Sequence, residues 1–328
     1  MRHISVVTLV MFCVTGLAKS QTNEEFKPGG KPFMKIFSNY HTIFSDGESA
    51  SAFELTRVYL GYDYLFSKNF SAKANIDVGN PGSGSFEMTA YVKNAYIRYE
   101  KKQLAVYFGL IPTNQFRFQE KAWGNRYLAK SFQDAYKFNA SADLGMSIDY
   151  KFSDVLSADF ILANGEGYKK LQSDSTLRTG FGVTVKPDKQ LAGRAYYDFS
   201  TRNGTTLSSL ALFLSYTTEK FSLGAEYNMQ KNYGFTDGKD MDGISCYTSV
   251  RASKKIKFIA RYDHIGSCTL PGASSAWNLS ADGELYLAGV EFSPVEGIKI
   301  APNFQGWNPR DSSQSFSSTA ILNCEIKF

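Results

Sequence analysis

Apolar side chains recur at every second position through most of this sequence. Ile256-Lys257-Phe258-Ile259-Ala260-Arg261-Tyr262-Asp263 carries apolar residues at its even positions and Lys257, Arg261 and Asp263 at odd ones. Phe70 to Val78, Leu144 to Tyr150 and Ile298 to Gln305 follow the same pattern. A period of two sends successive side chains to opposite faces of an extended chain, whereas an amphipathic helix repeats at 3.6. The alternation therefore predicts strands, each with one apolar and one polar face.

Read this way, the chain contains about sixteen strands: 33–44, 51–66, 69–79, 86–100, 102–110, 140–152, 155–163, 178–187, 190–200, 206–217, 220–229, 243–253, 256–264, 284–293, 297–305 and 315–328. Their connections fall into two sets. One is tight: Ser67-Lys68, Lys101, Ser153-Asp154, Asp188-Lys189, Thr218-Glu219, Lys254-Lys255 and Pro294-Val295-Glu296. The other is mostly longer: 45–50, 80–85, 111–139, 164–177, 201–205, 230–242, 265–283 and 306–314. The two sets alternate strictly. An up-and-down antiparallel sheet with one plain rim and one elaborated rim has this organisation.

The N-terminus reads as an export signal. Met1-Arg2-His3 is a short basic start, Ser5 to Val14 is an apolar core too short to span a bilayer, and Leu17-Ala18-Lys19-Ser20 offers a cleavage site near Ser20. The expected division is therefore a signal peptide over 1–20, a periplasmic N-terminal segment over 21–32 and a barrel over 33–328. Removing residues 1–20 takes Arg2 and Lys19 and no acid, leaving 34 bases against 31 acids. That balance gives no basis for nucleic-acid binding. Cys246, Cys268 and Cys324 match neither a disulfide framework nor a zinc site, and no motif calls for a cofactor or a metal. No later stretch is apolar enough for a membrane helix. Alternating strands can still cross a bilayer if the sheet closes, because lipid cannot satisfy a strand edge.

In a closed barrel of this kind the apolar faces meet lipid and the polar faces line the lumen. That rule turns Val58, Leu60, Tyr62 and Tyr64 outward and Arg57 and Asp63 inward. The same parity assigns Lys73, Asp77, Arg98, Asp143, Arg194, Asp198, Arg251, Lys257, Arg261 and Lys299 to the pore lining, with Lys35, Asp149, Asp159, Glu226 and Glu291 also inward. Sixteen strands are expected to leave an aqueous channel. Tyr64, Phe70, Tyr99, Tyr150, Tyr216, Phe221 and Phe292 lie beside the short turns, as an interfacial aromatic girdle does.

The third outer connection, 111–139, is the longest. Pro112 and Gly124 interrupt it, and 126–136 has room for a short helix. A long ordered loop is usually functional. Folded inward, it would narrow the pore and bring Arg117, Lys121, Arg126, Lys130 and Lys137 against Glu120 and Asp134. Five bases against two acids make a positive constriction, which favours anions.

At this point the chain resembles the outer-membrane porins, and more narrowly the phosphate-selective porin O/P-like group. The likeness rests on the signal peptide, Arg57-Val58-Tyr59-Leu60, Tyr107-Phe108-Gly109-Leu110-Ile111-Pro112 entering the long loop, Ala142-Asp143-Leu144-Gly145 leaving it, and the terminal Phe328. The resemblance implies an all-β, single up-and-down antiparallel transmembrane barrel, with its long third extracellular loop folded inward. It implies a homotrimer in the outer membrane of a Gram-negative bacterium, surrounded by outer-membrane lipid and lipopolysaccharide. Phe328 would be the signal read by the barrel-assembly machinery. No basic ladder transfers phosphate selectivity residue by residue. The resemblance implies passive diffusion of small hydrophilic solutes, and the bases of the third loop add a mild anion preference; a substrate-specific sugar or phosphate channel and a non-conducting structural barrel are the alternatives. An enzyme is not expected, since Asp263 and His264 are strand neighbours facing opposite ways and cannot form part of a simple catalytic triad.

Overall fold

The computed structural model describes residues 26–80 and 88–328. The signal-peptide assignment, 1–20, lies outside the described residues. Sixteen antiparallel strands form one closed barrel. They are β1 (Gly29–Ser45), β2 (Glu48–Leu65), β3 (Phe70–Gly79), β4 (Thr89–Lys101), β5 (Leu104–Pro112), β6 (Ala142–Lys151), β7 (Leu156–Ala163) and β8 (Arg178–Val185). The second half comprises β9 (Leu191–Arg202), β10 (Thr205–Thr217), β11 (Phe221–Lys231), β12 (Met241–Arg251), β13 (Ile256–Ser267), β14 (Gly283–Phe292), β15 (Ile298–Pro309) and β16 (Ser317–Lys327). Each strand pairs with its sequence neighbours, and β16 closes on β1 through Lys35↔Lys327 to Phe44↔Ser318. All sixteen expected strands are present, one for one. No helix among the described residues is long and apolar enough to cross a membrane, a fact that says nothing against crossing by strands.

Most strand ends shift by up to four residues, and three of the differences bear on the architecture. β1 begins at Gly29 rather than at 33, pairing Gly29 with Leu65 and Pro32 with Tyr62. Gly29-Gly30-Lys31-Pro32 looks like a breaker. These residues pair on one side only, since the β1–β16 register starts at Lys35, and an edge segment tolerates Pro and Gly. The two other differences break the strict short–long alternation. The outer connection of β1 and β2 shrinks to Asp46-Gly47, and that of β9 and β10 to Asn203-Gly204. All four residues have positive φ, from 49° at Asn203 to 83° at Gly204. Asp-Gly and Asn-Gly are the pairs that a tight hairpin with two left-handed residues selects, so these strands run straight into their turns.

The alternation sets the faces. Outward positions carry exposed Leu60, Phe108, Phe181, Leu214 and Phe258, and the inner-rim aromatics gather in pairs. Phe70 lies 4.9 Å from Tyr99, and Tyr150 5.0 Å from Phe152. Phe328 is 72% exposed at the same rim. Its backbone N–H donates to the Met34 carbonyl at 3.2 Å, and its own carbonyl accepts from Met34 N–H at 2.8 Å.

The long loop between β5 and β6 lies inside the barrel. It starts with α1 (Asn114–Trp123), which stops at Gly124, where φ is +64° and the N–H returns to the Glu120 carbonyl at 3.0 Å. Left-handed geometry without a Cβ makes glycine the natural terminator there. The loop then turns through Asn125 to Lys130 and ends in α2 (Phe132–Ala135). It buries Phe116, Trp123, Tyr127, Leu128, Phe132 and Phe138. Trp123, Tyr127 and Leu128 pack with inward wall residues that are themselves apolar, Phe37, Phe213, Tyr247, Ile259, Leu287 and Ala301, while Phe132 and Phe138 pack with Met241 and Ile265. Burying a large aromatic contributes about 2–3 kcal/mol, so the loop is held by a small hydrophobic core built inside the lumen.

Candidate functional site

Polar contacts trace the loop's path around the wall. Asn114 Nδ2 donates to Asp159 of β7 at 2.8 Å, and Arg117 reaches Asp149 of β6 at 2.8 Å. Phe118 packs on Phe213 of β10 and Trp123 on Tyr247 of β12, with ring centroids 5.6 and 5.1 Å apart. Lys257 of β13 donates to Asn125 at 2.8 Å, and Tyr127 OH donates to Glu291 of β14 at 2.9 Å. Gln305 of β15 and Asn323 of β16 donate to the carbonyls of Leu128 and Tyr127. The returning limb is fastened by Tyr136 OH to Asp263, Gln133 to Asn228 and Gln230 to the Phe138 carbonyl. The loop thus contacts the wall from β6 to β16 and reaches β1 at Phe37, whose ring centroid lies 6.5 Å from that of Tyr127.

This coverage separates inward charges into two groups. Arg194 with Asp159 at 2.5 Å, Arg178 with Asp198 at 2.7 Å and Arg261 with Asp263 at 2.6 Å are buried pairs. Arg194, Asp198 and Arg261 were expected to line open water. They point inward, as parity requires, but lie beneath the loop, where a partner offsets the cost of burying each charge. Lys257 and Lys299 belong to a chain with Glu291 and Glu325, in which Lys257 lies 2.9 Å from Glu291 and Lys299 2.9 Å from Glu325. Asp143 accepts the N–H groups of Leu144 and Gly165 and serves to shape the base of the next loop. Arg251 is exposed at the inner end of β12.

The other group lies on β2 to β4. Arg57 pairs with Asp77 at 3.3 Å, a pair that is itself buried beneath the loop after β7, while Lys73 pairs with Asp63 at 2.9 Å in a more exposed place. Arg98 pairs with Glu100 at 2.7 Å, and Tyr107 carries both Arg98 and Arg117 at 5.4 Å from its ring. A cavity of about 340 Å³ is lined by Lys35, Lys93, Arg117, Lys121 and Arg126 against Glu120 and Glu325. Five bases against two acids is the balance expected for the loop alone, but with different members. The loop supplies three of the bases and the wall supplies Lys35 and Lys93.

Two of the five expected loop bases are paired, Arg117 with Asp149 and Arg126 with Asp134 at 3.2 Å. Among the described residues, Lys121, Lys130 and Lys137 form no ion pair. Burial pulls the Lys130 ammonium below its ordinary range; Asp134 opposes the shift, and Arg126, Arg57 and Lys169 add to it. Lys137 lies elsewhere, against a separate cavity beside the outer end of β8 to β11. The expected constriction therefore divides, and Lys137 is not one of the residues brought together around the first cavity.

Two contributors escaped the sequence reading. Lys93 should face lipid by parity, yet β4 holds an extra residue there: Asn75 pairs with Asn94 and Ile76 with Val92. A bulge of this kind lets adjacent residues share a face, and the signal for it was two consecutive polar residues, Lys93-Asn94, inside an alternating run. Lys93 Nζ sits 4.9 Å from the Tyr59 ring and 5.8 Å from Tyr168. The second contributor is the loop after β7, whose Tyr168 OH donates to Asp77 at 2.8 Å and whose Lys169 lies 4.8 Å from the Tyr91 ring. Burial also lowers Lys169, with repulsion from Arg57 acting in the same direction. Nothing local in 164–177 marks it as reaching across to β3 and β4.

Asp263 and His264 do lie on opposite faces of β13. Asp263 is fully buried on Arg261, and His264 is exposed on the outside, 3.8 Å from Glu284. Cys246, Cys268 and Cys324 are free thiols.

No protein-family model and no curated protein sequence matches the chain. Solved structures do. OmpF of Salmonella typhi, determined in complex with daunomycin, aligns at a TM-score of 0.69 and 13% identity, covering 91% of this chain and 97% of that one. OprB of Pseudomonas putida, in a high-pH structure, aligns at 0.65 and 11% identity, covering 92% and 94%. An anion-selective porin from Comamonas acidovorans aligns at 0.62 and 12% identity, covering 92% and 100%. At such low identity the likeness is one of fold: this chain has the sixteen-stranded barrel architecture of those outer-membrane proteins.

Proposed function

We propose that this chain is an outer-membrane porin, a channel for passive diffusion of small hydrophilic solutes with a mild preference for anions. The observation that carries the reading is the cavity between the loop and the wall, lined by Lys35, Lys93, Arg117, Lys121 and Arg126 with Glu120 and Glu325; Arg117 and Arg126 are paired with Asp149 and Asp134, and Lys35, Lys93 and Lys121 form no ion pair among the described residues. A narrow, water-containing passage lined mainly by one sign of charge concentrates counter-ions and repels co-ions. The fold shared with the solved porins supports the reading, and so does the apolar outer wall with its inner-rim aromatic girdle. In this reading the barrel sits in the outer membrane of a Gram-negative bacterium among lipid and lipopolysaccharide. It assembles as a homotrimer, is not an enzyme, and presents Phe328 to the barrel-assembly machinery. Phosphate selectivity of the O/P kind is not part of the proposal.

One observation favours a second reading, a structural barrel that does not conduct: the hydrophobic core that the long loop builds within the lumen. Planar-bilayer recording decides between them. Discrete conductance steps with a reversal potential on the anion side are expected. Absence of conductance by folded protein would establish the structural barrel, and a cation-side reversal potential would overturn the anion preference.

A further inference from the structure

β2 reaches well past the strand beside it. It pairs with β1 along its whole length, from Gly29↔Leu65 to Ser45↔Glu48. With β3 it pairs from Leu65↔Ser71 up to Val58↔Val78 and no further. No described strand pairs with Glu48 to Thr56 on that second side. The ten residues of β3, Phe70–Gly79, are already enough to cross a bilayer. The upper part of β2 therefore stands beyond the hydrocarbon, in water at the outer rim. Every residue from Asp46 to Leu55 is exposed.

The turn sets which groups this edge offers. The two-residue loop Asp46-Gly47 makes Ser45 and Glu48 a hydrogen-bonded pair. Such pairs alternate with non-bonded ones along an antiparallel ladder. Ala50, Ala52 and Glu54 therefore bond to β1, and the N–H and C=O groups of Ser49, Ser51, Phe53 and Leu55 point away from it. Side chains lie closer in non-bonded pairs. In agreement, Thr42 Oγ1 lies 2.8 Å from Ser51 Oγ, and the Tyr40 and Phe53 rings are 4.9 Å apart. The bulge at Phe37/Ser38 closes the run at its foot.

An open edge recruits further strands, and proteins usually guard it with Lys, Pro or a cover. Glu48 to Thr56 contains no Lys, Arg, Pro or Gly. Its side chains specify an occupant. Glu48 and Glu54 share one face, while Phe53, 85% exposed, and Leu55, 45% exposed, share the other. From Ile36 to Thr56 the chain carries Asp46, Glu48 and Glu54 and no Lys or Arg. An added strand would set its side chains alternately beside carboxylates and beside Phe53 and Leu55, so basic and apolar residues in turn complement it. A second copy does not fit. Upright copies in one membrane carry this strand in the same direction and cannot pair it antiparallel with itself. We propose that the open edge of β2 receives, by strand addition, an extended segment of another protein in which basic and apolar residues alternate. The edge lies outside the lumen, and binding there does not depend on conduction.

Fluorescence anisotropy with a labelled, end-blocked peptide of alternating valine and lysine, as long as the open edge, tests this on the folded, detergent-solubilised protein. Saturable binding is expected. The same peptide N-methylated throughout, which lacks backbone donors, should bind at least about tenfold more weakly, and so should a peptide of alternating valine and glutamate. Ser51→Pro removes a donor from the open edge and leaves the β1 ladder intact. It should weaken binding by about fivefold or more, as should Glu48→Gln combined with Glu54→Gln. Heat-modifiable gel mobility verifies that each variant is folded. Absence of binding by folded wild type would overturn the proposal. So would the N-methylated peptide binding as tightly as its parent, or folded Ser51→Pro binding like wild type. Concentration-dependent dimers in light scattering, abolished by Ser51→Pro, would also overturn it by giving the edge to a second copy.

Discussion

Lys93 gives the most direct test of how the wall and the loop share the field in the channel. A sphere of the cavity's volume, about 340 Å³, has a radius of about 4 Å, so a permeating ion at its centre lies about 7 Å from a charge on the wall. Two unit charges at that distance in water interact by about 0.6 kcal/mol. Screening at 0.1 M salt leaves about half of this. Neutralising Lys93 removes that attraction from an anion and the equal repulsion from a cation. The anion-to-cation permeability ratio should therefore fall by about 0.6 kcal/mol, or about threefold. Lys93→Gln tests the single step, and Lys93→Glu doubles the free-energy change, for a fall of about sevenfold to ninefold. The assay is the reversal potential across a potassium chloride gradient in planar bilayers. At about 1 M salt the Debye length shrinks to about 3 Å and most of the difference should vanish. An unchanged reversal potential in Lys93→Gln at low salt would refute the placement of Lys93 in the passage. A shift that persists undiminished at high salt would refute its electrostatic origin.

Three other perturbations probe the supports of the site. Glu291 accepts from Tyr127 and pairs with Lys257, so Glu291→Gln should loosen the loop, costing about 3 kcal/mol because Lys257 is left in a largely buried place; Tyr127→Phe, which removes one hydrogen bond, should cost about 1 kcal/mol. Single-channel recording should show raised open-state noise in that order, and a reversed order would count against the ion chain as the anchor. Burial lowers Lys130 in the folded state, so between that lowered value and the ordinary lysine range the unfolded chain binds more protons. Stability should then rise with pH through this alkaline window and be lower beneath it, and Lys130→Met should flatten the rise in denaturation midpoints; an unaltered slope would contradict the burial argument. Deleting Phe328 removes its two backbone hydrogen bonds to Met34 at the seam of the barrel, and the deletion should lower the yield of heat-modifiable barrel while export continues; normal assembly would remove Phe328 from the closure and signal roles.

The sequence by itself determined the sheet. Sixteen strands, their antiparallel order and the sides that most residues face were legible because a wall between two different surroundings imposes a period of two along every strand. Asp198, Arg261 and Leu60 all face the way parity assigned them. Parity fails where the backbone slips by one, as at Lys93, and the short–long alternation of connections fails at Asp46-Gly47 and Asn203-Gly204, where the strands run into two-residue turns. The tertiary structure alone decided which inward residues meet open space. Arg194 and Lys73 have the same inward address, yet one is sealed under Asn114 and the other, with its partner Asp63, stays open to solvent. That difference comes from contacts between residues far apart in sequence, such as Tyr127 with Glu291 and Tyr168 with Asp77, and local alternation carries no record of them. The apolar inward residues Ile259, Leu287 and Ala301 were the one visible trace of the loop's resting place. They are inward positions that would have little reason to be apolar in a barrel filled only with water.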